Sequence, residues 1–363
     1  MIRVLIVDDS AVVRAILSEK LSQACDIEVV GTASNPYFAR DKIVTLKPDV
    51  VTLDIEMPRM DGLTFLAKLM KHFPLPVIVI SSLTAQGSGM ALRALELGAV
   101  DVFCKPGSEY SVAEISKSLI AKIRAAASAR VSRLRPLLAA PPAARVKEPQ
   151  SVPAQVPQVT PLSPEQLHTT SKVLAIGAST GGTEAIRAVL SALPASSPGT
   201  VIVQHMPPRF TTEFAKRLND TCEMEVREAQ GGEILRTGLA LVAPGNLHLV
   251  LTHCGAQYLA QVKDGPTVHY QRPSVDVLMM SVAKCAGAHA VGVLLTGMGA
   301  DGASGLLAMR QRGAHTIAQD EETSVVFGMP RVAAELGAAA EVLGLGCIAN
   351  AVTAAFRKAA EPV

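Results

Sequence analysis

Short β-branched runs alternate with helix-length amphipathic stretches through the first third of the chain. Residues 4–7, 28–31, 50–53, 77–80 and 101–104 read as strands. Between them, residues 11–22, 36–46, 62–71 and 90–97 place apolar side chains at helical spacing, and 112–130 follows with Ile115, Leu119 and Ile123 on one face. That alternation predicts an α/β fold with a doubly wound, mainly parallel sheet. The pattern resumes at Lys172, where 173–176, 200–204, 239–243 and 291–295 read as strands of a second α/β unit. Residues 247–251 and 257–262 predict a small β-hairpin inserted into it, and 351–363 a surface helix with a frayed end.

From about 133 to 164 the text turns to Pro, Ala, Gln and Val, as in Pro141-Pro142-Ala143-Ala144. Such a stretch builds no core and predicts an extended, semi-stiff linker. The expected organisation is therefore one domain over 1–125, a linker over 126–170 and a second domain over 171–363. Arg124, Arg130, Arg133 and Arg135 make the linker's start basic, which suits a helix C-terminus in water.

Composition narrows the classes. With 363 residues, 49% hydrophobic and 18% charged, the chain has material for two buried cores. A net charge of +2, 3% aromatics and no Trp argue against nucleic acid as a partner. The apolar runs are too short to insert in a membrane, and the first strand meets Asp8-Asp9 too early for a secretory signal. Cys25, Cys104, Cys222, Cys254, Cys285 and Cys347 are dispersed, without metal-like spacing, as expected of reduced thiols in a cytoplasmic protein.

Four chemically apt positions fall at strand ends of the first unit. Asp8 and Asp9 follow its first strand, Asp54 ends the third, Ser81 the fourth, and Lys105 follows the fifth. Carboxyl ends of parallel strands converge on one crevice. There Asp8 and Asp9 suit a hard ion such as Mg2+, Asp54 a nucleophile toward phosphorus, and Lys105 a charge partner for the phosphoryl oxygens. Ser81 offers a hydroxyl able to sense the new group, although Ser82 is adjacent.

In the second unit, Gly177-Ala178-Ser179-Thr180-Gly181-Gly182 links a strand to a helix. Glycines there admit two readings: a phosphate cradle at a helix N-terminus, or a tight turn presenting Ser179 as a nucleophile. His205 and Asp301 also lie just beyond strand ends, on the edge of the sheet where Ser179 sits, which is the topology a catalytic triad requires. Asp301 has an alternative role as a helix cap. Ser274 is a rival nucleophile that reads better as a helix start, and His248, His253, His269, His289 and His315 lie in the hairpin region or at strand starts.

Ile6-Val7-Asp8-Asp9-Ser10, Leu53-Asp54-Ile55-Glu56-Met57-Pro58 and Cys104-Lys105-Pro106 resemble a response-regulator receiver domain. Ile176-Gly177-Ala178-Ser179-Thr180-Gly181-Gly182, Gln204-His205-Met206-Pro207, Arg272-Pro273-Ser274-Val275-Asp276 and Leu295-Thr296-Gly297-Met298-Gly299-Ala300-Asp301-Gly302 resemble the chemotaxis methylesterases of the CheB family. The resemblance implies a flavodoxin-like receiver phosphorylated on Asp54 by a histidine kinase, with Asp8, Asp9, Asp54 and the Glu56 carbonyl around Mg2+. It implies a monomeric, phosphorylation-activated protein-glutamate methylesterase and glutaminase acting on methyl-accepting chemoreceptors, with no cofactor for hydrolysis. The implied machinery is Ser179, His205 and Asp301, with the Met298 backbone supporting the oxyanion and Thr180 positioning His205 or the substrate.

Overall fold

The computed structural model describes residues 1–57, 61–81, 84–104, 112–129, 131 and 170–358. In the first domain β1 (Ile2–Val7), β2 (Ile27–Ala33), β3 (Val50–Asp54), β4 (Val77–Ser81) and β5 (Asp101–Cys104) form a five-stranded parallel sheet in the order β2-β1-β3-β4-β5. Every residue of β3 and β4 is buried, as expected for parallel strands covered on both faces. The covering helices are α1 (Ala11–Leu21), α2 (Pro36–Leu46), α3 (Gly62–His72), α4 (Ala85–Glu96) and α5 (Val112–Ser128).

Local chemistry starts these helices. Ser10 accepts from Val13 N at 3.4 Å, Asn35 from the Tyr37 and Phe38 amides at 3.0 Å, and Asp61 from Thr64 N at 2.7 Å. Thr84 does the same for α4, accepting from Gly87 N at 2.9 Å. Helix α4 therefore begins at Ala85 rather than at the expected 90. The Gly-Ser-Gly text of its first turns hides it, because those residues disfavour helix interiors unless a cap and packing hold them.

In the second domain β6 (Val173–Ala178), β7 (Gly199–Gln204), β8 (Glu225–Glu228), β10 (Leu239–Val242), β13 (Ala290–Leu294), β14 (His315–Gln319) and β15 (Glu341–Leu343) make a seven-stranded parallel sheet ordered β15-β14-β13-β6-β7-β10-β8. Its helices are α6 (Gly182–Ser191), α7 (Phe210–Thr221), α8 (Val275–Cys285), α9 (Ala303–Gln311), α10 (Met329–Glu335) and α11 (Leu345–Lys358). The expected hairpin, β11 (His248–Cys254) with β12 (Gln257–Lys263), gains a third antiparallel strand in β9 (Glu233–Ile234). Helix α11 is more than the frayed surface helix of the sequence reading: it starts at Leu345 and buries Ile348, Val352 and Phe356 as one apolar stripe.

The two domains touch through α4 and α7, with Arg217 Nη2 3.1 Å from Glu96 Oε1. Leu92 and Leu95 of α4 face Phe214 and Leu218 of α7 there. No helix among the described residues is long and apolar enough to cross a membrane.

Leu66, fully buried on α3 and remote from the second domain, tests the independence of the first. Leu66→Ala should lower the receiver's unfolding free energy by about 2–5 kcal/mol in urea, leaving the second domain's transition in place.

Candidate active site and phosphoacceptor site

Ser179, His205 and Asp301 follow β6, β7 and β13, three adjacent strands at the centre of the seven-stranded sheet. From β6 the chain runs to β7 on one side while β13 lies on the other, so Ser179 stands where the strand order reverses, the usual binding crevice of an open α/β sheet.

The turn carrying Ser179 is short and pinned. β6 ends at Ala178 and α6 begins at Gly182. Ser179 N donates to Thr296 O at 3.0 Å, and Ser179 O accepts from Gly182 N at 2.7 Å and from Gln204 Nε2 at 2.8 Å. Its backbone is thus tied to the ends of both flanking strands. Gly181 takes φ +77°, and a Cβ there would come 2.7 Å from Val325 Cβ, so the turn requires glycine for both conformation and space.

Asp301 is 2% exposed. A buried carboxylate demands donors. Oδ1 accepts from Ser274 Oγ at 2.8 Å and Asp276 N at 3.0 Å; Oδ2 accepts from Val275 N at 2.7 Å and bonds His205 Nε2 at 2.8 Å. Asp301 therefore sits on the N-terminus of α8, where amides and dipole favour a negative charge. Burial pushes its carboxyl up, but the His205 hydrogen bond and charge and the two amides outweigh it, leaving the group below the ordinary carboxylate value.

The carboxylate sets the histidine tautomer. With Nε2–H donated to Asp301, the neutral ring keeps its lone pair on Nδ1, which is buried and has no hydrogen-bond partner among the described residues. An imidazole nitrogen so oriented is a ready general base for a neighbouring hydroxyl. His205 and Ser179 line the same small cavity, together with Gln204, Met206 and Phe210. No hydrogen bond joins Ser179 Oγ to His205, a gap that closes on substrate binding in many hydrolases.

The other wall of that cavity belongs to the first domain: Leu95, Val100, Asp101, Val102 and Lys122. Thr180 Oγ1, expected to position His205 or the substrate, donates instead to Asp101 Oδ2 at 2.7 Å, because Asp101 presents a carboxylate at that edge. Lys122 Nζ holds the other oxygen at 2.7 Å. Met298 lies in the turn after β13 with its side chain about one-third exposed.

The rival positions resolve differently. Ser274 is fully buried, caps α8 and donates to Asp301, so its hydroxyl serves the acid rather than acting as a nucleophile. His315 starts β14 beside Glu341, at the opposite edge of the sheet from Ser179. His248 and His253 bond the Pro266 and Cys285 carbonyls. Asp101 and Gln204 are the contacting positions that sequence reasoning did not single out, whereas Ser274, read as a helix start, also bonds Asp301. Their roles depend on partners remote in the chain, and only the helix-cap signal at Ser274 was visible.

In the receiver, carboxylate oxygens of Asp8, Asp9 and Asp54 lie within 4.8 Å of one another, Asp8 and Asp54 fully buried. This all-oxygen, multiply anionic set fits a hard divalent ion such as Mg2+. Glu56 follows directly, its amide donating to Asp54 Oδ1 at 3.1 Å. Ser81 Oγ donates to Gly87 O in the first turn of α4 at 3.0 Å. Lys105 and Ser82 lie outside the described residues.

Comparison with known proteins gives two family matches. Residues 174–352 match the family model for the CheB methylesterase, and 4–116 that for the response regulator receiver domain. A protein of Syntrophus aciditrophicus named protein-glutamate methylesterase/protein-glutamine glutaminase 2 is 54% identical over 97% of this chain and 98% of its own. One of Salmonella typhimurium, named protein-glutamate methylesterase/protein-glutamine glutaminase, is 51% identical over 97% of this chain and 96% of its own. The crystal structure of the Thermotoga maritima CheB methylesterase catalytic domain is 37% identical, with a TM-score of 0.49 over 50% of this chain and 96% of that one.

Three substitutions test the geometry. Ser179→Ala should abolish labelling by a fluorophosphonate serine probe while Ser274→Ala retains it, read by gel fluorescence. Asp301→Asn keeps the shape but sets an amide against Nε2 and the wrong tautomer on the ring, so hydrolysis should fall about 10^4-fold in kcat. Because the Asp301 carboxyl is held below its ordinary value, its contribution to stability is present at neutral pH and lost as pH falls through that lowered value. Asp301→Asn should accordingly flatten the acid limb of the stability profile.

Proposed function

This chain belongs to the CheB methylesterase family of receiver-bearing enzymes, and we propose that Ser179, His205 and Asp301 perform its hydrolysis under control of Asp54. The activity is that of a phosphorylation-activated protein-glutamate methylesterase and protein-glutamine glutaminase in chemotaxis adaptation, removing methyl groups from γ-glutamyl esters of chemoreceptors. The residue assignment rests above all on one contact, the 2.8 Å bond between His205 Nε2 and Asp301 Oδ2.

In this reading His205 Nδ1 takes the Ser179 proton as Oγ attacks the ester carbonyl. The imidazolium that forms is stabilised by the Asp301 charge, which does not itself take a proton. Backbone amides of the glycine-rich turns, including that of Met298, receive the developing oxyanion; one such donor is worth roughly 3 kcal/mol. His205 returns its proton to the departing methoxide oxygen, which leaves as methanol, or to the amide nitrogen of a glutamine substrate, which leaves as ammonia. Water, deprotonated by the same nitrogen, then releases glutamate from Ser179.

Asp54 accepts the phosphoryl group from a histidine kinase of the cytoplasm. When bound by Asp8, Asp9, Asp54 and the Glu56 carbonyl, Mg2+ supplies charge neutralisation for that transfer. The Ser81 hydroxyl, now on Gly87 O, then has a phosphoryl oxygen as a competing acceptor. Losing that bond removes one tie on the first turn of α4, the helix whose far end carries Leu92, Leu95 and Glu96 onto the second domain. Receiver residues that wall the cavity beside Ser179 thereby become displaceable, which supplies the gate.

Asp101 is the sharpest test of that gate, since its bond to Thr180 ties the receiver to the nucleophile's turn. A hydrogen bond to a charged group is worth about 1.5–3 kcal/mol. Asp101→Ala should therefore raise methanol release by the unphosphorylated chain about tenfold or more while barely changing the phosphorylated rate. An unchanged basal rate would rule out this contact as a restraint.

A further inference from the structure

The segment before α8 plays no part in the chemistry above, yet its backbone is costly. Val268 and Gln271 exchange both backbone hydrogen bonds, at 3.0 and 2.8 Å, so His269 and Tyr270 form the corner of a two-residue hairpin. Their φ angles are +49° and +61°, a type I′ geometry that normally selects Asn and Gly. Two bulky residues in the left-handed region form an outlier, and such outliers persist where function holds them.

The His269 side chain accounts for itself. Nε2 lies 3.2 Å from Asp276 Oδ2, and its ligand atom is within 4.8 Å of carboxylate oxygens of both Asp276 and Asp301. Asp276 is buried, and Asp301 is the acid that holds His205. The base of the hairpin is fastened as firmly: Arg272 bonds Asn246 Oδ1 at 2.7 Å and Gly265 O at 2.6 Å, and its carbonyl accepts from Asn246 N. A rigid arm is thus rooted beside the triad acid. Tyr270 at its tip is 91% exposed. Among the described residues nothing hydrogen-bonds to or stacks on that ring, with receiver residues walling the other side of the crevice.

We propose that Tyr270 is a docking residue for the polypeptide segment that carries the glutamyl ester. This rests on the methylesterase reading given above. The scissile methyl ester is too small to mark its carrier, so selectivity for a protein substrate must come from contacts beyond the reacting group. A tyrosine on a rigid turn suits that task, offering a large amphipathic face with few rotatable bonds to immobilise. Tyr270 is exposed while described receiver residues wall the other side of the crevice, so it is open to substrate in this state.

Full-length phosphorylated protein tests this with methylated receptor in membranes and, in parallel, a small soluble ester and the fluorophosphonate probe. Tyr270→Ala should raise KM for receptor roughly five- to tenfold with kcat unchanged. Small-ester hydrolysis and probe labelling should stay at the wild-type rate. Tyr270→Phe should recover most of the affinity. Tyr270→Gly, which relieves the backbone, should raise the thermal midpoint yet show the same KM defect, separating docking from folding. An unchanged KM in the Ala and Gly variants overturns the docking role alone, and an equal loss on the small ester overturns it in favour of an effect on the triad. If wild type labels with the probe but does not turn over methylated receptor, the substrate reading fails and the docking role falls with it.

Discussion

A negative charge buried at the edge of a parallel sheet must be met by donors, and the second domain is arranged around meeting it at Asp301. The N-terminus of α8 supplies two amides and the Ser274 hydroxyl, and His205 supplies the remaining bond. Those contacts fix the carboxylate, and the carboxylate, by taking the Nε2–H, leaves the lone pair of the neutral ring on Nδ1. The backbone at Ser179 is fixed separately, by Thr296 O and Gln204 Nε2. Acid, base and nucleophile are therefore set by different elements meeting at three neighbouring strand ends.

The turn that presents Ser179 serves two purposes through adjacent residues. Ser179 lines the cavity that His205 also lines, while Thr180 bonds Asp101 of the receiver. Glu184 on the same helix start is buried at this contact; burial raises its carboxyl above the ordinary value despite the Arg187 charge 2.8 Å away. Ion pairs at such a seam contribute little net stability once desolvation is counted. The contact is thus specific without being strong, which is what a reversible cover requires.

Much of this was legible in the chain and some was not, for identifiable reasons. Asp8, Asp54, Ser179, His205 and Asp301 could be placed because strand ends are readable from β-branched runs, and parallel topology sends those ends to one crevice. The start of α4 was not readable, since Gly87 and Gly89 mask a helix that Thr84 caps. Strands β8, β9 and β15 were missed because they are short edge or satellite pieces whose residues are largely exposed. Thr180 was assigned toward the catalytic side because local sequence carries no trace of Asp101, its partner in the other domain. Ser274 looked ambiguous for a physical reason: a hydroxyl that caps a helix and one that attacks an ester sit in similar text, and only the distance to Asp301 separates them.

The same separation of roles explains how such an enzyme can be gated without being dismantled. Displacing a receiver that gripped Asp301 would expose a charge bound by four donors and unsettle α8 with it. The receiver instead lies against Thr180 and the hydroxyl-bearing turn, where uncovering would break the Asp101–Thr180 bond, the Arg217–Glu96 ion pair and a modest apolar contact. The bonds that hold Asp301 all come from the second domain. In the proposed gating, activation need not build the Asp301–His205 pair; it gives the substrate access, and the Ser179–His205 contact closes on binding.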